Sequence, residues 1–562
     1  MQSLLSNTKN HNNLYLLIFS FFIATLFFLT GDFQEDSLIT FRTARNFALH
    51  NELTYNLGAS LPGSTSIIYG FICGLIYKLV GFLGEKVFFF AVVAFNSFFL
   101  VSALNKFLIQ FKFFNKISNY LLITTPGFIT LLHKGMETGL LAGCLLYCIS
   151  IIQESIIQKK ALNDFKCSIF FIICVIRIDS LLIACLIIFP YFIINFLSDL
   201  NYKKILSNFI FALNTIKFPL IFSILGFLIN IILNKLFFNS YIPHTAIAKK
   251  IAYESNPNFN NFISQLKLLY LSGADENAFL LPVATKYLNF LYPFALPVFL
   301  LVVFLGIKLR REIIFKSNKF YSHNHCYYSF FTLLIFALVY PLFFCLSGMR
   351  IFPWYLWISS FAVQFFYVIF TDSFISKHSI KLFRITILSL FFLIFSAKLF
   401  LSLNDGAEEN LYRASIGKYI KNISSAENVL MLEPAGYIPY YADIKTIDEV
   451  GLVSREFTDF LSKKSPQESI VSFWIEYMPD FLVQRKHILN FRDSLGNQFS
   501  EDEILWFKNN YCLKKSFSYD PKILAPKNKF KQLILKLGSH VDYYLFVKRN
   551  KDNLCLNNLC KD

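Results

Sequence analysis

The chain has 562 residues, of which 55% are hydrophobic, 69 are Phe and only 16% are charged. A soluble domain would carry about 25% charged residues, so the repeated long apolar runs point to a polytopic α-helical membrane protein. The net charge of +17 does not argue for a nucleic-acid partner: residues 402–562 hold 22 Lys and Arg against 21 Asp and Glu, and the basic excess lies among the apolar runs.

In chain order, the first apolar run, 14–30, has no small-residue cleavage site and reads as a retained helix. Residues 31–66 follow it as the first outer loop, with Glu35-Asp36, then Arg42 and Arg45 about one turn apart on an expected helix, then turns at Gly58, Pro62 and Gly63. The run 66–84 carries Lys78 and four glycines and is expected to lie in the interface without crossing. Ten further spans are expected at 87–104, 117–132, 138–156, 165–176, 180–197, 218–236, 291–307, 327–346, 352–371 and 385–401, giving about 11 in all. The loops 105–116, 157–166, 198–217, 308–320 and 372–384 then share one side and carry 3, 3, 3, 5 and 3 Lys and Arg. The positive-inside rule makes that side cytoplasmic, with the N-terminus inside and the C-terminus outside. After Leu401 the composition turns soluble: 429–434, 480–484 and 543–548 read as strands of an extracytoplasmic α/β domain over 402–562. No internal repeat is visible, which argues against a transporter built from inverted repeats.

Charged groups beside a bilayer are costly unless they pair or do chemistry. Asp36 can cap a helix start, or it can act as a general base that takes a proton from a hydroxyl. Lys134, Arg177 and Arg350 occupy short outer connectors, the first two near Glu137 and Asp179. They can snorkel to headgroups, or together form an anion site suited to a phosphate. His244 and Lys249 open the outer loop 238–290 and read either as surface residues or as part of that site. Eight of the 11 Cys lie in or beside apolar runs, while Cys512, Cys555 and Cys560 could supply one disulfide on an oxidising side. No Cys/His spacing suggests a metal.

The segment GDFQEDSLITFRTARNFALHNELTYNLGASLPGSTS (31–66) resembles the first-loop motif of GT-C fold membrane glycosyltransferases. It is most similar to the branch containing the cell-wall arabinofuranosyltransferases, whose loop reads roughly D-D-x-Y-I-T-F-R-Y-A-R-N. Glu35 stands at the first Asp and Asp36 at the second. Further ordered likenesses are Gly135-Met136-Glu137-Thr138 to G-M-E-T, Arg177-Ile178-Asp179-Ser180 to R-P-D-G, Ile242-Pro243-His244-Thr245 with Lys249 to L-P-N-T-x-x-A-K, and Phe352-Pro353-Trp354-Tyr355 to F-P-W-Y. Residues 433–452 are similar to E-x-G-x-I-G-Y-Y-S followed by V-I-D-x-x-G-L.

The resemblance implies a GT-C-like catalytic module over 1–401 and an inverting transfer from a polyprenyl-phosphate sugar, with no cofactor and no obligatory metal. Asp36 would be the base and Glu35 would orient the acceptor or sugar. Arg42, Arg45, Lys134, Glu137, Arg177, Asp179, His244, Lys249 and Arg350 would bind substrate. The expected partners are the lipid-linked donor, a glycan or lipid acceptor and membrane lipids, at the outer face of the cytoplasmic membrane. A flippase for lipid-linked sugars and a non-catalytic envelope-assembly protein are the alternatives.

Overall fold

The computed structural model describes residues 2–110, 116–158, 162, 164–197, 205–252, 295–315, 323–346, 352–377, 381–463, 470–493, 497–536 and 541–549. Arg350, Cys555 and Cys560 lie outside the described residues. The chain is mostly helical with a small C-terminal sheet. It forms two compact units: residues 1–29, 84–233 and 255–401 make one, and 30–83, 234–254 and 402–562 the other. The first outer loop and the start of the 238–290 loop therefore group with the C-terminal domain. The compositional border at 401/402 falls inside a continuous helix, Lys381–Ala407.

Among the described residues six helices are long and apolar enough to cross a membrane: 85–110, 137–158, 206–238, 327–344, 353–375 and 384–423. Shorter apolar helices cover 14–28, 67–83, 165–176, 180–196 and 296–308. The span expected over 117–132 is instead two short helices, Lys116–Ile123 and Pro126–His133. Pro126 explains the break, since its ring excludes the α conformation from the residue before it and it has no N–H to donate.

In the second unit five strands, β1 (Val429–Leu432), β2 (Lys445–Asp448), β3 (Phe481–Arg485), β4 (Tyr511–Phe517) and β5 (Tyr543–Lys548), form a sheet of order β2-β1-β3-β5-β4. β1 pairs in parallel with β2 and β3, whereas β5 is antiparallel to β3 and β4. Side chains alternate between two cores. Leu430, Leu432, Val483 and Leu545 pack with Ile416 and Ile420 on one face, and Met431, Leu482 and Phe546 pack with Phe473 and Trp474 on the other. This two-residue alternation is what a sheet covered on both faces requires.

The first-loop helix, Glu35–His50, is buried continuously from Ser37 to Asn46 although its residues are not markedly apolar. A polar helix surrounded by protein must find polar partners on every side, and this one does. Arg42 donates to the carbonyls of Tyr55 (3.1 Å), Pro439 (2.9 Å) and Ile444 (2.6 Å). Asn46 donates to Thr54 and Tyr55 carbonyls at 2.9 Å. The returning loop is tied to β2 through Asn56, which exchanges hydrogen bonds with the Thr446 backbone at 2.8 and 3.0 Å. Gly63 has φ of 64°, and a side chain there would press on Ile39, Val453 and Tyr55.

Candidate functional site

The two adjacent acids at the start of the first-loop helix have different surroundings. Asp36 faces Lys249, with the ammonium 3.5 Å from a carboxylate oxygen. Lys249 is only 6% exposed, while the Asp36 side chain keeps 24% of its surface. Lys249 comes from the helix His244–Ala252, whose Thr245 hydroxyl lies 3.3 Å from that of Thr65. Ser64 is bonded by Thr40 at 3.2 Å. Ser66 caps the helix Ile67–Val80 by accepting from the Tyr69 N–H. A carboxylate, a cation, several hydroxyls and a helix N-terminus thus share one neighbourhood. Such a set can take a proton and hold an anion.

Glu35, whose side chain keeps 18% of its surface, turns to a different partner. Its carboxylate accepts from Arg413 at 2.9 Å, and the same guanidinium nitrogen donates to Glu409 at 2.9 Å. Burial pushes the Glu35 carboxyl above the usual range; Arg413 opposes the shift, and neighbouring Asp36 adds to it. The contact is close because residue 436 is glycine: a Cβ there would collide with the Cγ and carbonyl of Glu35.

Arg42 and Arg45, expected to touch substrate, are committed to the protein. Arg42 is the clamp described above, and Arg45 is ion-paired with Asp443 with its guanidinium over the Tyr440 ring. Their donors serve the framework because the helix that carries them is enclosed. His244 approaches the Thr458 hydroxyl at 3.5 Å; burial, and then Arg455, pushes its imidazole below the usual value, which favours the neutral ring.

In the other unit Arg177, Glu137 and Asp179 come together. Arg177 grips Asp179 with two bonds of 2.9 Å and Glu137 with a third, also 2.9 Å. Arg177 is 4% exposed and Glu137 is 3% exposed, and Lys134, ending the helix Pro126–His133, is equally enclosed. One cation between two carboxylates is a net negative cluster. Arg177 is thus held in an ion-pair triad with buried Glu137 and part-buried Asp179, and Arg350, expected to join it in an anion site, lies outside the described residues.

Sequence reasoning missed Arg413, Gly436, Thr65 and the clamp residue Tyr55, whose hydroxyl donates to the Ala435 carbonyl at 2.6 Å. No spacing signal links Arg413 to Glu35, 378 residues earlier. A cavity of about 420 Å³ lies in the second unit, walled mainly by Phe47, Leu53, Phe71, Phe237 and Phe238 with Asn51, Glu52 and Thr54 among its polar edges. Among the described residues no cluster of His, Cys, Asp or Glu could hold a metal ion. Residues 402–541 match a family described as a domain of unknown function (DUF8728). No curated protein matches the chain.

Proposed function

We propose that this protein is a membrane glycosyltransferase of the GT-C kind that moves a sugar from a polyprenyl-phosphate donor to a glycan or lipid acceptor. The observation that carries the reading is the partly exposed Asp36 carboxylate 3.5 Å from the buried Lys249 ammonium, which stands on the same helix as Thr245, itself 3.3 Å from Thr65. Asp36 takes the proton of the acceptor hydroxyl as that oxygen bonds to the anomeric carbon. The bond from that carbon to the phosphate oxygen breaks on the opposite face, so the configuration inverts. Lys249 and the hydroxyls neutralise the departing phosphate. The 420 Å³ apolar cavity offers room for part of an isoprenoid chain. Glu35, Arg42 and Arg45 hold the loop in this scheme, and of Arg177 and Lys249, both expected at the phosphate, Lys249 keeps that role.

The chain crosses the cytoplasmic membrane about 11 times, with its C-terminal domain outside. Cys512 is disulfide-bonded, which supports an oxidising compartment for that domain. Purified protein in lipid nanodiscs should release farnesyl phosphate from one of a panel of farnesyl-phosphate pentoses and hexoses when offered an oligosaccharide acceptor, giving a product of inverted configuration by NMR. No transfer with any donor, or retained configuration, refutes the mechanism. A reporter active only outside the cytoplasm should be active when fused after residue 402 and silent at residue 312; the reverse pattern refutes the topology.

A further inference from the structure

The start of the first-loop helix has no cap of its own. Gln34 precedes it, and its side chain makes no capping bond. What fixes this end comes from residues 406–413. Gly406 lies against the Thr30 carbonyl so closely that a Cβ would overlap it. Asn410 donates to the Gly31 carbonyl at 2.9 Å. Arg413 donates to Glu35 at 2.9 Å while Glu409, one turn before it, accepts from the same guanidinium nitrogen at 2.9 Å. The three contacts follow at steps of four and three, so one helical face runs along residues 30–35. Glu408–Arg413 is itself a π-helical turn, a rare departure that recurs at functional sites. From the opposite direction Gly436 leaves Glu35 no room to retreat.

Resting on the transferase reading above, we infer that Arg413, braced by Glu409, is a positioning residue: it anchors Glu35 and thereby fixes Asp36 against Lys249. The C-terminal domain then contributes to turnover by holding the first loop, whatever acceptor it also meets. A base displaced by about 1 Å can cost about 100-fold in rate, and a neutral Gln cannot replace the charge-assisted bond.

The test uses the full chain in nanodiscs, the farnesyl-phosphate donor panel and hydrogen exchange. Arg413→Gln should lower kcat by about 10–100-fold with little change in the donor KM. Arg413→Lys should restore part of it, because the ammonium keeps the attraction but not the position of the guanidinium nitrogen that both carboxylates share. Glu409→Gln, which leaves the Glu35 bond in place, should show a smaller loss in the same direction. In an Asp36→Asn background Arg413→Gln should add almost nothing, since it acts through Asp36. Amides 36–40 should exchange faster in Arg413→Gln, while those near Arg42 keep their protection. Full turnover in Arg413→Gln, a loss that adds in full to Asp36→Asn, or unchanged exchange at 36–40 would overturn the inference. If Arg413→Gln does not fold, the Arg413→Lys and Glu409→Gln proteins carry the same measurements. Wild-type protein inert toward every donor would instead refute the transferase reading, and the exchange data alone would then decide whether Arg413 anchors the loop.

Discussion

Glu35 and Asp36 are neighbours in sequence, similar in exposure at 18% and 24%, and bound to different partners. On one side of the helix start, Glu35 meets a guanidinium already shared with Glu409 and is enclosed by Gly436. On the other, Asp36 stands 3.5 Å from Lys249 and keeps part of its surface open. A carboxylate held by a short charge-assisted bond and enclosed by backbone is suited to fixing a chain in place. A carboxylate with one longer cationic contact and free surface is suited to receiving a proton. Successive residues at a helix start point in directions about 100° apart, so an acidic pair there places one group in each environment.

The sharpest way to break this contrast is Asp36→Asn. Asn preserves size and can still sit at a helix start, but it cannot act as the base. Turnover should fall by about 10²–10⁴-fold, the usual worth of a positioned general base, a loss larger than the destabilisation from removing the carboxylate opposite the buried Lys249, which melting in detergent follows separately. An active Asp36→Asn protein would sink the assignment. If Glu35→Gln proved just as inactive while exchange at 36–40 stayed normal, the two roles would have to be reversed.

The next effect concerns stability. Arg177 repeats the Glu35 pattern in the other unit, a guanidinium saturated by carboxylates. Arg177→Ala leaves the buried Glu137 and the part-buried Asp179 without this cation, and breaking a buried pair such as Arg177–Glu137 costs about 3–5 kcal/mol. Arg177→Ala should therefore lose folded protein, as read by monodispersity and melting in detergent. A protein melting like wild type but defective only in donor use would restore the substrate-binding role to Arg177.

These residues show what was legible in the sequence. Apolar length marked the helices, and short apolar runs in 429–434, 480–484 and 543–548 marked three strands that become β1, β3 and β5. β2 escaped because Lys445–Asp448 is short and apolar only at Ile447, and β4 because Tyr511–Phe517 carries two lysines in its middle. The acidic pair was visible as a feature, but the division of labour within it was not. That division is set by Arg413 and Gly436, about 380 and 400 residues away along the chain, and no local spacing encodes so distant a partner. Likewise Arg42 and Arg45 looked like ligands for a substrate anion because their period was helical and their location external. Only the fold reveals that backbone carbonyls and Asp443 already take their donors.

The smallest effect is a pH dependence on the anchoring side. Asp448, at the end of β2, accepts from the Val450 and Leu452 N–H groups and so shapes the turn that brings Val453 against Ile39 of the first-loop helix. Burial, with Glu433 adding a like charge, raises Asp448 to about 7 and Glu449 to about 8. Both values lie above the ordinary carboxyl range, so the folded state binds these protons more tightly than the unfolded chain does. Stability from this pair is therefore complete below about pH 4, the ordinary carboxyl range, and is lost as pH rises toward 7–8. Glu449→Gln keeps an oxygen for the Trp474 and Gln484 donors, now at 2.9 and 2.6 Å, and removes the titration. Between pH 5 and 8 the melting midpoint of the wild type should fall more steeply than that of Glu449→Gln. The variant should gain at pH 8, at about 2–4 °C for each kcal/mol recovered. Parallel profiles would show that Glu449 titrates alike in both states, leaving Asp448 as the raised carboxyl that accounts for any remaining slope.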